Sequence, residues 1–297
     1  MYREQKFKVG LVQMAMSADV DENLRRAGEF VEEAAGKGAE IICLPEMFRS
    51  QYFCQREDVD LFDLAEPLEG VSFQHLSKIA KDKKVTVIAP IFERRSAVGV
   101  FHNSLVVIGE NGENVGVYRK MHIPDDPAYY EKFYFTPGDL GFKAFETAKA
   151  KIGTLICWDQ WYPEGARLTA LKGAEVLFYP TAIGWHPFEK EEVGASQQDA
   201  WQTIQRSHAI ANELYVVSVN RVGHEVFTEG TDGIQFWGHS FVADPFGVVI
   251  AQASDDKEEV LVVELDRART EDVRRNWQFF RDRRIENYGD LQKRFID

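Results

Sequence analysis

The sequence predicts an α/β fold made of two similar halves. Three observations carry that prediction. Short apolar runs rich in β-branched residues alternate with segments whose apolar residues recur at helical spacing; the order strand, helix, strand, helix, strand occurs twice; and each series ends in a hairpin. Asn103-Ser104-Leu105-Val106-Val107 and His239-Ser240-Phe241-Val242-Ala243 hold equivalent places in the two halves. No Pro/Gly/Ser-rich linker divides them, so residues 1–297 read as one domain with a two-fold internal repeat.

In chain order, residues 7–14 form the first strand. Asp21-Glu22-Asn23 can cap the next helix, whose apolar positions are Leu24, Ala27, Phe30, Val31 and Ala34, and Gly36 and Gly38 end it. Ile41-Ile42-Cys43-Leu44 is a buried-type strand stopped by Pro45, which leaves Glu46 at a strand end. Phe73, Leu76, Ile79 and Ala80 mark a second helix before a strand over 85–92. Strands over 104–108 and 114–118 flank Asn111-Gly112, a hairpin signal because both residues accept positive φ. The second arm delivers Lys120 at its far end, and a proline-punctuated aromatic loop follows over 123–139, of the length that compact domains keep for function or tight packing.

The second half repeats the order with strands over 152–157, 175–180 and 215–220 and helices over 163–171 and 195–212. A second hairpin turns through Pro245-Phe246-Gly247. A strand over 261–265 and a charged tail from about 266 to 297 close the chain; Trp277, Phe279, Phe280, Tyr288 and Phe295 predict that the tail packs on something, such as a second subunit.

Composition narrows the function classes. With 297 residues, 44% hydrophobic and 12% aromatic, the chain can bury a large core. A formal net charge of −13 argues against nucleic acid or an anionic membrane as partner and favours cationic ligands. No apolar run approaches the roughly 18 residues of a membrane span. The start shows no targeting core, and three scattered cysteines give no disulfide framework, so a cytoplasmic, reducing compartment is expected. Glycine-rich phosphate loops and a Gly-x-Ser-x-Gly elbow are missing, and neither the histidines nor the cysteines show metal-ligand spacing; no metal or organic cofactor is expected.

What remains is a constellation of strand ends. Cys157 closes an apolar run just before a helix that begins at Pro163, and Glu46 and Lys120 stand at other strand ends. A thiol needs a base to become a nucleophile, and a carboxylate in a closed pocket can serve. A lysine ammonium can stabilise the oxyanion of an attacked carbonyl, and the Trp158 N–H, at the amino end of the next helix, is a natural second donor. A cysteine–histidine pair using His122 or His186 stays open, although nothing local supports it.

Leu44-Pro45-Glu46, Tyr118-Arg119-Lys120-Met121-His122 and Leu155-Ile156-Cys157-Trp158-Asp159, in this order, closely resemble the nitrilase superfamily of carbon–nitrogen hydrolases. The resemblance runs from about residue 7 to the tail. It implies a four-layer α-β-β-α sandwich, Glu46 as general base, Lys120 as oxyanion-stabilising lysine, Cys157 as nucleophile and Glu131 as a supporting second glutamate. Family members assemble as dimers or higher even-numbered oligomers, so a homo-oligomer is expected.

The loop motifs around Pro124-Asp125-Asp126-Pro127 and Tyr130-Glu131-Lys132-Phe133, with Cys157-Trp158-Asp159-Gln160-Trp161, are most similar to members that hydrolyse a small cationic N-carbamoyl amine. No arginine stands between Cys157 and Arg167 to take a substrate carboxylate, whereas Asp125, Asp126 and Glu189 could hold an amine. Tyr52 and Trp185 complete the expected substrate-binding set. Other N-carbamoyl compounds such as β-ureidopropionate, an ω-amide or a nitrile are the alternatives within the family, and a non-catalytic scaffold is the alternative outside it.

Overall fold

The computed structural model describes residues 4–297. β1 (Lys6–Gln13) leads into α1 (Val20–Gly36). The cap of that helix is Asp19, whose side chain accepts from the N–H groups of Asp21 and Glu22. The expected capping stretch therefore begins two residues early; Asn23 is buried and uses its amide to hold Ser17. β2 (Ile41–Cys43), α2 (Val71–Lys83), β3 (Thr86–Arg94), β4 (Phe101–Ile108) and β5 (Asn114–Arg119) follow as the periodicity predicts. The β4–β5 loop differs from the expected tight turn. Only Gly112 takes a positive φ, 81°, and Gly109 N–H closes a longer loop on Glu113 O.

The second half contains α3 (Glu131–Tyr134), β6 (Ala144–Glu146), β7 (Lys151–Thr154), α4 (Pro163–Leu171), β8 (Val176–Thr181), β9 (Gly184–Trp185) and α5 (Lys190–Asn212). β10 (Tyr215–Asn220), β11 (Val222–Glu225), β12 (Ile234–Trp237), β13 (Phe241–Ala243), β14 (Val249–Gln252), β15 (Glu259–Asp266) and α6 (Arg267–Trp277) complete it. α3, β6 and the small β11-β12-β9 sheet went unseen in the sequence because each is too short to show a period.

The repeat is explicit in the two large sheets. One runs β15-β1-β2-β3-β4-β5 and the other β6-β7-β8-β10-β13-β14. Read in these directions, both pair antiparallel, parallel, parallel, antiparallel, antiparallel. Strand alternation then sorts side chains. Ile41, Cys43, Leu105 and Val107 point into the layer between the sheets, where they meet Phe178 and Val217. Ile42, Val106 and Ile108 point outward under Val31 of α1 and Leu76 of α2. α4 and α5 cover the outer face of the second sheet. The layers are α-β-β-α, as the resemblance implied.

Among the described residues no helix is long and apolar enough to cross a membrane. The tail packs partly on its own chain: Trp277 meets Phe246 and Phe279, and Arg167, Arg274 and Arg283 surround Phe280. Ile285, Leu291, Phe295 and Ile296 stay exposed.

Candidate active site

Strand direction gathers the site. β2, β3 and β5 run the same way in the first sheet, so Glu46 beyond β2 and Lys120 beyond β5 emerge at one edge. Cys157 comes to the same place from the second sheet, and the site straddles the central layer. The expected strand over 152–157 ends early, however. β7 stops at Thr154, and Cys157 opens a short 3-10 turn with φ 43°. An L-residue pays for that left-handed backbone, a strain of roughly 1–2 kcal/mol that only a braced turn sustains.

The brace is Asp159. Its buried carboxylate accepts the Ile156 N–H at 3.0 Å, the Tyr118 hydroxyl at 2.7 Å and the His122 N–H at 3.0 Å, and lies 2.7 Å from His122 Nδ1. His122 also stacks on Tyr162 at 3.7 Å. Its ring is committed to Asp159, which removes His122 as partner of the thiol. His186 lines the cavity against Tyr129 and Phe188, while the Cys157 thiol points to Ala182 O, 3.8 Å away.

Lys120 Nζ sits 2.8 Å from Glu46 Oε1 and 2.6 Å from Glu131 Oε2, and all three side chains are essentially buried. Asn103 Nδ2 donates to Glu46 Oε1 at 2.7 Å, and the Tyr52 hydroxyl donates to Glu131 Oε1 at 2.7 Å. Glu46 Oε2 is buried without a hydrogen-bond partner among the described residues. Neither the contact of Asn103 nor the Tyr52–Glu131 bond is marked by any motif. Both depend on side chains meeting across strands.

Burial sets the electrostatics. It pushes the Cys157 thiol well above its ordinary value, and the Glu46 carboxylate adds to that, partly offset by Lys120. Burial also disfavours the Lys120 ammonium, but Glu131 and Glu46 outweigh it and hold the amine protonated. One ammonium faces two buried carboxylates, so Glu131 is raised to about 7, chiefly by burial and against the pull of Lys120.

Cys157, Trp158 and Glu131 lie on the wall of a cavity of about 850 Å³. Its charged lining consists of Glu131, Asp126, Glu189 and Asp232, with no lysine or arginine lining it among the described residues. Glu189 is half-buried and accepts from Gln197 Nε2 at 3.0 Å. Of the expected substrate-binding residues, Asp126 and Glu189 therefore reach the cavity, and three do not. Asp125 is exposed and is not among the residues that line the cavity. Tyr52 is buried behind Glu131. Trp185 turns its indole N–H to Gly194 O. Asp232 was missed, because it stands in the loop between β11 and β12, where no pattern marks it.

The family model for carbon–nitrogen hydrolases matches residues 8–275. The chain is 43% identical to an N-carbamoylputrescine amidase of Arabidopsis thaliana over 96% of this chain and 95% of that protein. It is 40% identical to a citrullinase of Francisella tularensis, covering 97% of this chain and 99% of the other. A crystal structure of a carbon–nitrogen hydrolase from Helicobacter pylori G27 superposes with a TM-score of 0.94 at 48% identity, covering 98% of this chain and 100% of that one. Family match, near-full-length relatives and shared fold agree with the three sequence motifs: the chain belongs to the carbon–nitrogen hydrolases of the nitrilase superfamily.

Proposed function

We propose that the protein is a cysteine-dependent amidohydrolase that cleaves N-carbamoylputrescine to putrescine, ammonia and carbon dioxide, a step of polyamine biosynthesis. The observation that carries this reading is the cavity: a thiol beside a buried Glu46–Lys120–Glu131 cluster, with only acidic charge on its walls. An ammonium finds carboxylates there at Asp126, Glu189 or Asp232, whereas a substrate carboxylate finds no cation on the wall.

In this mechanism Glu46, through its unpartnered Oε2, takes the Cys157 proton as sulfur attacks the carbamoyl carbon. Concerted removal suits a thiol that is neutral at rest. The oxyanion is received by Lys120 and by the Trp158 N–H, which lies in the first turn of its helix and has no partner within it. Each such donor contributes roughly 2.7–4 kcal/mol. Glu46 returns the proton to the departing nitrogen, leaving a thioester on Cys157. A water deprotonated by Glu46 then hydrolyses it. One water is consumed per turnover: if the amine leaves first, the carbamic acid breaks down to ammonia and carbon dioxide, and if ammonia leaves first, the N-substituted carbamic acid breaks down to putrescine and carbon dioxide.

The likeness to a citrullinase favours a second reading, hydrolysis of another N-carbamoyl compound. Ammonia release from N-carbamoylputrescine, citrulline and N-carbamoyl-β-alanine, with Cys157→Ser as control, separates the readings. Preference for the diamine, abolished in the variant, is expected. Preference for either carboxylate-bearing substrate would overturn the role given to the acidic wall. A non-catalytic scaffold would release ammonia from none of them, and the intact Glu46, Lys120 and Cys157 argue against it. The three buried, unpaired thiols support a reducing, cytoplasmic setting. The exposed apolar tail supports association into a homo-oligomer, for which the family resemblance implies an even number of subunits.

A further inference from the structure

Two fully buried polar side chains have no part in the mechanism above. Asn220 is the last residue of β10 and Arg221 the next, and neither lines the cavity. Arg221 reaches from the second half of the chain into the turn that carries Glu46. Its Nη2 donates to Glu46 O at 2.7 Å and to Met47 O at 3.0 Å; its Nη1 donates to Ser50 O at 3.3 Å and to Glu225 Oε1 at 2.9 Å. Glu225 Oε2 accepts the Tyr52 N–H at 2.6 Å, closing the clamp on the same segment. Asn220 works on the other wall. Its Oδ1 accepts the Ile183 N–H at 3.1 Å, and its Nδ2 donates to Ile183 O at 3.0 Å. Ile183 follows Ala182, whose carbonyl the Cys157 thiol faces.

We infer that the Asn220–Arg221 step is a positioning element that fixes Glu46 in one half of the molecule relative to the Cys157 wall in the other. The backbone it holds is of the kind that needs holding: Met47, directly after Glu46, has φ 49°, and Cys157 has φ 43°. A buried guanidinium costs several kcal/mol to desolvate and needs acceptors in compensation. Here Nη1 and Nη2 are met by three carbonyls of the turn over 46–50 and one carboxylate, while Nε has no hydrogen-bond partner among the described residues. A lysine keeps the charge beside Glu225 but cannot span carbonyls on both sides of a planar fork. Because a displacement of about 1 Å can cost 10²-fold in rate, the consequence falls on turnover.

The inference rests on Glu46 and Cys157 acting as base and nucleophile. The test takes Arg221→Lys and Asn220→Asp, each checked for folding by thermal melting. Two readouts are followed: kcat and KM on the substrate that wild type hydrolyses fastest, and the pH profile of Cys157 alkylation by iodoacetamide, which needs no substrate. The groups around Glu46 that shape that profile are Lys120, Glu131, Cys157, Tyr52, Cys54 and Tyr129. Folded variants are expected to lose on the order of 10²-fold in kcat, with KM within about threefold and a displaced alkylation profile. Folded variants with wild-type kcat and profile would overturn the inference, as would failure of both to fold, which makes the step a requirement of folding instead. Undiminished turnover by Cys157→Ser would instead overturn the underlying mechanism, so the two failures are distinguishable.

Discussion

Replacing Lys120 by methionine removes the ammonium that bridges Glu46 and Glu131, and its effect can be worked from the geometry. The ammonium is within 2.8 Å of one carboxylate and 2.6 Å of the other, with all three groups buried. Deleting one partner of a buried ion pair costs roughly 3–5 kcal/mol, because the charge left behind is desolvated and unpaired. At the roughly 2–3 °C per kcal/mol of a domain this large, Tm falls by about 6–15 °C at pH 8. Glu131 also answers to pH. Burial and the neighbouring Glu46 raise its folded pKa, and without the lysine the pull that opposes them is gone. Stability from the bound proton is then present below the unfolded carboxylate value of about 4.3 and is lost as pH rises through the folded value. The Tm gap between Lys120→Met and wild type should therefore be narrower at pH 5.5 than at pH 8. Activity should fall by at least about 10³-fold, since an oxyanion donor is lost and Glu46 loses its anchor. Melting curves across pH and kcat/KM provide the assay. A gap independent of pH, or kcat/KM within tenfold of wild type, would refute the reasoning.

Other expectations are more local. Tyr52→Phe removes the hydroxyl that lowers the Glu131 pKa, so the melting deficit should grow as pH rises through about 7 and above, and an equal deficit at pH 5 and pH 8 would contradict this. Glu189→Gln should raise KM for N-carbamoylputrescine by about tenfold with kcat nearly unchanged; an unaltered KM would move the ammonium site to Asp126 or Asp232. Gly138→Ala would place a Cβ 2.2 Å from Arg119 O and 3.1 Å from Lys120 O, so β5 must shift at the catalytic end. Lower Tm by overpacking of about 1–3 kcal/mol together with reduced kcat is expected, and wild-type values of both would count against it.

The sequence was legible where a period or a motif is long enough to register. The strands and helices of the paired halves follow from apolar spacing and Glu46, Lys120 and Cys157 stand out at strand ends, while the four-layer arrangement and the roles of those three residues are implied by the family resemblance. What stayed hidden depends on single backbone angles or on long-range encounters. The positive φ of Cys157 moves it out of its strand, and no composition signals that. Asn103 and Tyr52 reach the charged cluster through contacts 57 and 79 residues apart in sequence. β9, β11 and β12 are two to four residues each, so the wall that brings in Asp232 cannot be read from alternation. Asp125 and Asp126 are indistinguishable in sequence, and the loop turns only the second to the cavity.

The most direct test of the mechanism is to mix enzyme with N-carbamoylputrescine, quench in acid during steady-state turnover and map adducts by peptide mass spectrometry. A carbamoyl or aminobutyl-carbamoyl thioester is expected on the peptide carrying Cys157, absent in Cys157→Ser. Full turnover without an adduct, or an adduct on another residue, would contradict covalent catalysis by this thiol.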